Sequence, residues 1–145
     1  RPDATADTII DGRLHTGDVG YMDEEGYTFI IDRMKDLILV GGFNVYPRNV
    51  EGGIYKHQAV EEVTVIGVPD EYQGQSVKAF VKLKANQTLN ADTLTAFLRE
   101  LLGKHEIPRY IEFRNELPKT MVGKLSKKEL VQEELAKIKA TETAQ

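Results

Sequence analysis

Cysteine is absent from the 145 residues, which removes disulfide scaffolds, thiolate nucleophiles and cysteine-ligated zinc, and allows an intracellular address. Histidine is scarce. His15, His57 and His105 stand far apart with no partner at metal-ligand spacing, so neither a histidine metal centre nor a Ser-His-Asp set is expected. No apolar run approaches the roughly 20 residues that cross a bilayer. Positive charge is not in excess either: 19 basic side chains against 23 acidic ones leave a net charge of -4, without the footprint of a nucleic-acid or anionic-membrane binder. The opening Arg1-Pro2-Asp3-Ala4-Thr5 has neither an initiator methionine nor a signal-peptide apolar core. The chain is therefore read as a piece of a longer protein entered partway along, in a cytoplasmic setting.

Apolar residues make up 41% of the chain, too much for disorder and enough for one ordinary domain with a core. The sequence is organised around Asp32 to Pro47. This stretch begins as a charged joint, passes through the aliphatics Leu37-Ile38-Leu39-Val40, which are expected to be buried, and ends in Gly41-Gly42 and Pro47. Such a run suits a pivot between two bodies. Before it, Arg1 to Asp11 is polar and weakly patterned, Asp11-Gly12 marks a turn, and Arg13 to Asp18 reads as a loop. Val19 to Met22 and Tyr27 to Ile31, separated by Asp23-Glu24-Glu25-Gly26, read as a hairpin.

Beyond the pivot, Pro47 suits the first turn of a short helix with Val50, Ile54 and Tyr55 on its apolar face, opposed by Gly52 and Gly53. Val63 to Val68 predicts a strand covered on both faces; Val77 to Leu83 alternates and predicts a half-exposed one. Asn90 is placed to cap a helix bearing Leu94, Phe97, Leu98, Leu101 and Leu102, with Gly103 as its stop. Ile107 to Phe113 predicts a strand and Glu116 to Lys124 a loop. Ser126 and Glu129 form a capping box ahead of a helix with Leu130, Val131, Leu135 and Ile138 on one side, and Thr141 to Gln145 are expected to fray. The sum is an α+β fold with a small, mainly antiparallel sheet flanked by helices and preceded by a β-hairpin.

Three places could carry chemistry. Gly123-Lys124 is not a phosphate-loop lysine, because Pro118 and Leu125 occupy positions where that motif needs glycine and a hydroxyl. Lys124 nevertheless precedes a helix start, where N–H groups and a mobile ammonium favour an anion; alternatively Lys119, Lys124, Lys127 and Lys128 form a solvated basic edge. Asp18 either ends a turn or accepts hydrogen bonds from paired ligand hydroxyls. Gly41-Gly42 either makes a tight turn at positive φ or lets the backbone approach a thin ligand.

His15-Thr16-Gly17-Asp18, Asp32-Arg33-Met34-Lys35-Asp36, Gly41-Gly42-Phe43-Asn44-Val45-Tyr46-Pro47, Gly67-Val68-Pro69-Asp70 and Pro118-Lys119-Thr120-Met121-Val122-Gly123-Lys124 together resemble the ordered motifs of the adenylate-forming superfamily. That superfamily comprises acyl-CoA synthetases, luciferases and peptide-synthetase adenylation domains, and the chain looks most like a bacterial fatty-acid (medium- or long-chain) CoA ligase.

The resemblance implies that residues 1–33 are the tail of a large N-terminal adenylation domain, that 34–140 form a mobile C-terminal lid, and that 141–145 are a frayed end. It assigns Asp18 and Arg33 to nucleotide binding, Lys35 to the hinge, Lys124 to catalysis, and Gly41 and Gly42 to the pantetheine channel. It implies ATP and CoA as cosubstrates, Mg2+ accompanying the ATP, and a fatty acid as the activated carboxylate. It also implies the chain's own N-terminal domain as partner and peripheral membrane association of the parent; the alternative reading as an interaction module makes Lys124 the target of a lysine acetyltransferase. Arg13 where relatives carry tryptophan, Gly52-Gly53 and Gln58 in the helix and loop after the pivot, and Lys127-Lys128 in place of an arginine pair depart from the pattern. The competing assignments are an adenylation unit of a peptide or polyketide synthetase and a non-catalytic interaction module.

Overall fold

A computed structural model describes residues 1–143. Its first element is a short helix, α1 (Pro2–Thr8), started by Pro2 and carrying no buried residue. The threonine hydroxyls of Thr5 and Thr8 bond back to the carbonyls of Arg1 and Ala4. With no buried face there is no apolar period, which is why the sequence shows only polar, weakly patterned residues here. Strands β1 (Ile9–Ile10) and β2 (Arg13–Leu14) pair across Asp11-Gly12, whose φ values of 50° and 72° are those of a primed hairpin turn.

The expected hairpin is present as β3 (Asp18–Met22) and β4 (Thr28–Arg33). Asp23 Oδ1 shapes its turn by accepting from the N–H groups of Glu25 and Tyr27 at 3.0 and 2.9 Å. Gly20 is required where a bulge shifts the register, because a Cβ there would overlap the Phe29 carbonyl.

A single 3-10 turn, Met34–Asp36, leads from this hairpin into the five-stranded sheet. Strands β5 (Ile38–Val40) and β6 (Phe43–Val45) meet at Gly41-Gly42. The four aliphatics expected to be buried do not behave alike. Ile38 and Val40 are buried, whereas Leu39 is 50% exposed, because a strand sends alternate side chains to opposite faces. Helix α2 (Pro47–Tyr55) starts at Pro47 and buries Val50, Gly53 and Ile54. Tyr55 is exposed, correcting its place on the apolar face; its hydroxyl instead accepts from the Val63 N–H at 3.3 Å.

Long strands β7 (Val60–Asp70) and β8 (Gly74–Leu83) form the centre of the sheet, whose order is β6-β5-β8-β7, with β9 (Tyr110–Phe113) parallel to β8 and every other pair antiparallel. One face is covered by α2 and by α3 (Ala91–Arg99). Val50, Ile54, Val63, Val65, Val77, Ala79, Val81, Leu94 and Leu98 fill the space between. The other face carries Ile66, Val68 and Phe80 against Leu117 and Leu130. Leu130 belongs to α4 (Lys127–Thr143). The expected half-exposure of β8 is therefore wrong: Phe80, on its supposedly outer face, is fully buried. Alternation could not reveal this, since the cover comes from residues about 50 positions later.

The Asn90 cap is present, its Oδ1 accepting from the Thr93 N–H at 2.8 Å. Helix α3, however, stops at Arg99, ahead of Gly103, and Leu101 is exposed rather than part of the buried stripe. On α4, Val131 and Leu135 are likewise exposed. The inward stripe is instead Leu130, Glu134 and Ile138, because the sheet beneath presents Lys78 and Glu134 is its partner at 2.9 Å. Residues Thr141–Thr143 are helical rather than frayed, and the remainder of the expected tail, 144–145, lies outside the described residues.

Candidate functional site

The loop carrying Lys124 is a small hairpin standing on α4. Its base is closed by the Ser126 N–H to the Pro118 carbonyl at 2.8 Å and by a Lys119 to Leu125 bridge. Nearer the tip, the Thr120 N–H donates to the Lys124 carbonyl at 2.6 Å, and Thr120 Oγ1 receives the Lys124 N–H at 3.2 Å. Gly123, at φ 80°, allows the chain to double back. Met121, Val122 and Lys124 are exposed, while Leu117 and Leu125 anchor the base in the apolar cluster around Phe80. The Glu62 carboxylate grips Lys119 at 2.7 Å, and Glu51 grips Lys127 at 3.0 Å while also receiving the Val65 N–H. The result is a fixed base with a projecting cation.

That cation faces an open cleft of about 730 Å³ lined by Arg33, Lys35, Arg48, Lys124, Lys127 and Lys128, against which stand only Asp32, Asp36 and Glu51. In a chain of net charge -4, such a concentration of positive charge is a local feature suited to an anion. Three of the residues singled out in the sequence, Arg33, Lys35 and Lys124, thus share one cavity. Asp18 joins them indirectly: it is the first residue of β3, opposite Arg33, and its carboxylate lies 3.5 Å from the Arg33 guanidinium. A second opening of about 350 Å³, lined by Thr16, Gly17, Arg33, Met34 and Lys35, continues along the same side.

Gly41 and Gly42 are not in this cleft. They sit at the far end of β5 from Lys35, at φ 56° and 85°, with the Gly41 N–H bonded to the Gln73 carbonyl at 2.9 Å. Apart from the adjoining residues, no atom of the described chain lies within 4 Å of a Cβ built at either position, so a side chain there would meet open space. Beside this turn, Phe43 stacks on His105 at 4.9 Å, near a hollow lined by Lys104, Pro108 and Arg109.

Two cleft residues escaped the sequence reading of function. Asp32 is 4% exposed; its Oδ1 accepts the Arg33 N–H and its Oδ2 the Arg48 N–H, both at 2.8 Å. Arg48 enters because α2 begins at the cleft wall. A bare Pro-Arg at a helix start carries no signal for that, since the wall is assembled from three separate segments, around 32–36, 48–51 and 120–132.

Displaced ionisation is concentrated beneath α4. Burial raises the Glu112 carboxyl, but bonds from Lys78 at 2.8 Å and Arg114 at 2.7 Å override it and hold the group down at about 2. Glu134 is also lowered, burial being outweighed by Lys137 and Lys78. Both Lys78 and Arg114 lie over the Phe80 ring, at 4.9 and 4.7 Å, so the charges sit on an aromatic floor. At the β7 to β8 turn, Asp70 is lowered by the Ser76 hydroxyl, the Gln73 and Tyr72 N–H groups, and Arg109. Among the described residues there is no group of three or more side chains that could hold a metal ion.

Residues 49–124, just over half of the chain, match the family described as AMP-binding enzyme C-terminal domain. The chain is 51% identical over 134 residues to a long-chain-fatty-acid–CoA ligase of Bacillus subtilis, and 48% identical over 138 residues to one of Salmonella typhimurium. These alignments cover 92% and 95% of the chain and 24% of each relative, so it spans about a quarter of their length. Among solved structures, o-succinylbenzoate CoA synthetase of Bacillus subtilis with its acyl-adenylate intermediate superimposes with a TM-score of 0.84 at 36% identity, over 90% of this chain and 26% of that one. ATP-bound MatB of Rhodopseudomonas palustris gives 0.84 at 35%, over 91% and 26%. The matched region ends on Lys124, the residue that projects into the cationic cleft, and the chain belongs to the AMP-binding enzyme C-terminal domain family.

Proposed function

We propose that this chain is the C-terminal lid of an ATP-dependent, AMP-forming long-chain fatty acyl-CoA synthetase, and that Lys124 serves its first half-reaction. In that step a fatty-acid carboxylate attacks the α-phosphate of ATP, giving acyl-adenylate and pyrophosphate; in the second, the CoA thiol displaces AMP to give the thioester. The carrying observation is that Lys124, on a projecting loop tip, shares a cleft with Arg33 and Lys35 beside the Asp18 to Arg33 pair.

Carboxylate and polyphosphate repel one another. A cation set between them stabilises the crowded transition state more than either reactant, which is the condition for rate acceleration. Asp18 suits the ribose hydroxyls as an acceptor-only group, and Arg33 suits the ribose or phosphate region. Rotation about Lys35 would withdraw Lys124 and bring the Gly41-Gly42 turn, at the opposite end of β5, to the channel through which pantetheine enters.

Mg2+ accompanies the ATP, and its ligands, like the acyl pocket, belong to the part of the enzyme outside this chain. The choice of a fatty acid rests on the names of relatives 47–51% identical; a cytoplasmic enzyme drawing its substrate from the membrane surface is consistent with it.

The test is Lys124→Ala in the whole enzyme. Fatty-acid-dependent ATP–pyrophosphate exchange should fall on the order of 10²- to 10³-fold, while thioester formation from supplied acyl-adenylate continues. Equal loss of both would remove Lys124 from its assigned step.

A further inference from the structure

Helix α2 starts without a local cap. Tyr46 stands at the cap position with no side-chain hydrogen bond, and the first turn holds no acidic residue. Helix starts usually satisfy their free N–H groups with a nearby Ser, Thr, Asp or Asn. Here the acceptor is Asp32, 16 positions earlier, whose Oδ2 takes the Arg48 N–H at 2.8 Å while Oδ1 takes the Arg33 N–H. The carboxylate is 4% exposed, so both bonds are needed to offset the cost of burying its charge. Between the two partners lies the Met34–Asp36 turn. The near side of that turn is itself fixed, the Met34 N–H donating to the Gly17 carbonyl at 2.8 Å.

We propose that Asp32 is a positioning residue for the adenylation step: its carboxylate latches the start of α2 to the end of β4 across the 34–36 turn, holding Arg33, Arg48 and Lys124 on one cleft. This rests on the function proposed above. Rotation at Lys35 moves residue 48 relative to residue 32, so the Asp32 to Arg48 bond exists in this orientation and is broken in the rotated one. A contact present in only one of two states biases the equilibrium between them. The latch also places the negative charge at the positive end of α2, where it is further stabilised. Passage to the thioester-forming orientation requires the bond to be given up and the carboxylate to be hydrated.

The experiment uses the whole enzyme with Asp32→Asn, which keeps the shape and removes one charged acceptor. Fatty-acid-dependent ATP–pyrophosphate exchange should fall about tenfold, the scale of one hydrogen bond to a charged group, with thioester formation from supplied acyl-adenylate changing by less than about twofold. Amide hydrogen exchange at Arg48 should accelerate together with the loss of exchange activity. Equal loss in both half-reactions, or no change in either, would overturn the latch.

A second measurement needs no variant. In the wild-type enzyme the Arg48 amide should be protected with a non-hydrolysable acyl-adenylate analogue and exposed with AMP and CoA; equal protection in both would also overturn it. Failure of the function reading is distinguishable, because the wild-type enzyme would then show no fatty-acid-dependent pyrophosphate exchange at all, whatever Arg48 does.

Discussion

Phe80 and Gly41 show how differently single residues bear on this chain. Phe80 is fully enclosed between Leu117 and Leu130, with the cations of Lys78 and Arg114 over its ring. Phe80→Ala should therefore cost roughly 3–5 kcal/mol of stability, read as a lowered urea midpoint, and should lower activity only as far as it unfolds the enzyme. Gly41 has no neighbour within 4 Å of a Cβ and is constrained only by its φ of 56°. Gly41→Val should cost about 1–2 kcal/mol for the left-handed backbone. In the whole enzyme, if this turn lines the pantetheine channel as proposed, it should also slow thioester formation more than adenylation, because the branched side chain would obstruct that channel. An equal effect on both half-reactions would dissociate this turn from the channel.

At the scale of elements, α4 is held to the sheet by charge as well as by apolar contact. Lys78 bonds both Glu112 and Glu134, and Arg114 bonds both Glu112 and Glu133. The Glu112 carboxyl is depressed from 4.5 to about 2, so its contribution is fully present above about pH 4.5 and is lost as pH falls toward 2. Glu134, also depressed, adds in the same direction. Since these side chains are partly open to solvent, the expected contribution is on the order of 1–2 kcal/mol. Urea titration at pH 6 and pH 3 should show wild type losing about half or more of that beyond what Glu112→Gln loses over the same interval, the rest going only as pH approaches 2; identical losses would mean that the Glu112 charge does not stabilise the fold.

The network also explains what was legible in the sequence and what was not. Elements with local signatures were readable: the Asp11-Gly12 turn, the β3 to β4 hairpin, Pro47 at the start of α2, and the Asn90 cap of α3. The exposed Val131 and Leu135, and the buried face of β8, were not, because which side of α4 turns inward is decided by Lys78, far away in sequence. The candidate site divides in the same way. Lys124, Arg33, Lys35 and Asp18 could be named from the family resemblance, whereas Asp32 and Arg48 gain meaning only when residues 16 apart are brought within hydrogen-bonding distance.

For the whole molecule, the uneven distribution of cover is the informative feature. The five-stranded sheet has packed side chains on both faces. The two N-terminal hairpins do not: Ile9, Ile10, Leu14, Tyr21, Met22, Tyr27, Phe29 and Ile30 are each between 45% and 67% exposed. A two-stranded hairpin is at best marginally stable in water without a third layer, so these strands need a cover that the described residues do not give them. On the proposed reading, in which residues 1–33 belong to a large preceding domain, that domain would supply it, and would also supply the nucleotide phosphate and acyl sites. The isolated 145-residue chain should accordingly form neither acyl-adenylate nor acyl-CoA. Its β7 and β8 amides should exchange slowly with solvent, and those of β3 and β4 within the fast-exchanging limit set by local opening. Measured turnover by the isolated chain, or equal protection of the hairpin and the central strands, would show that the chain is self-sufficient and that its lid role is wrong.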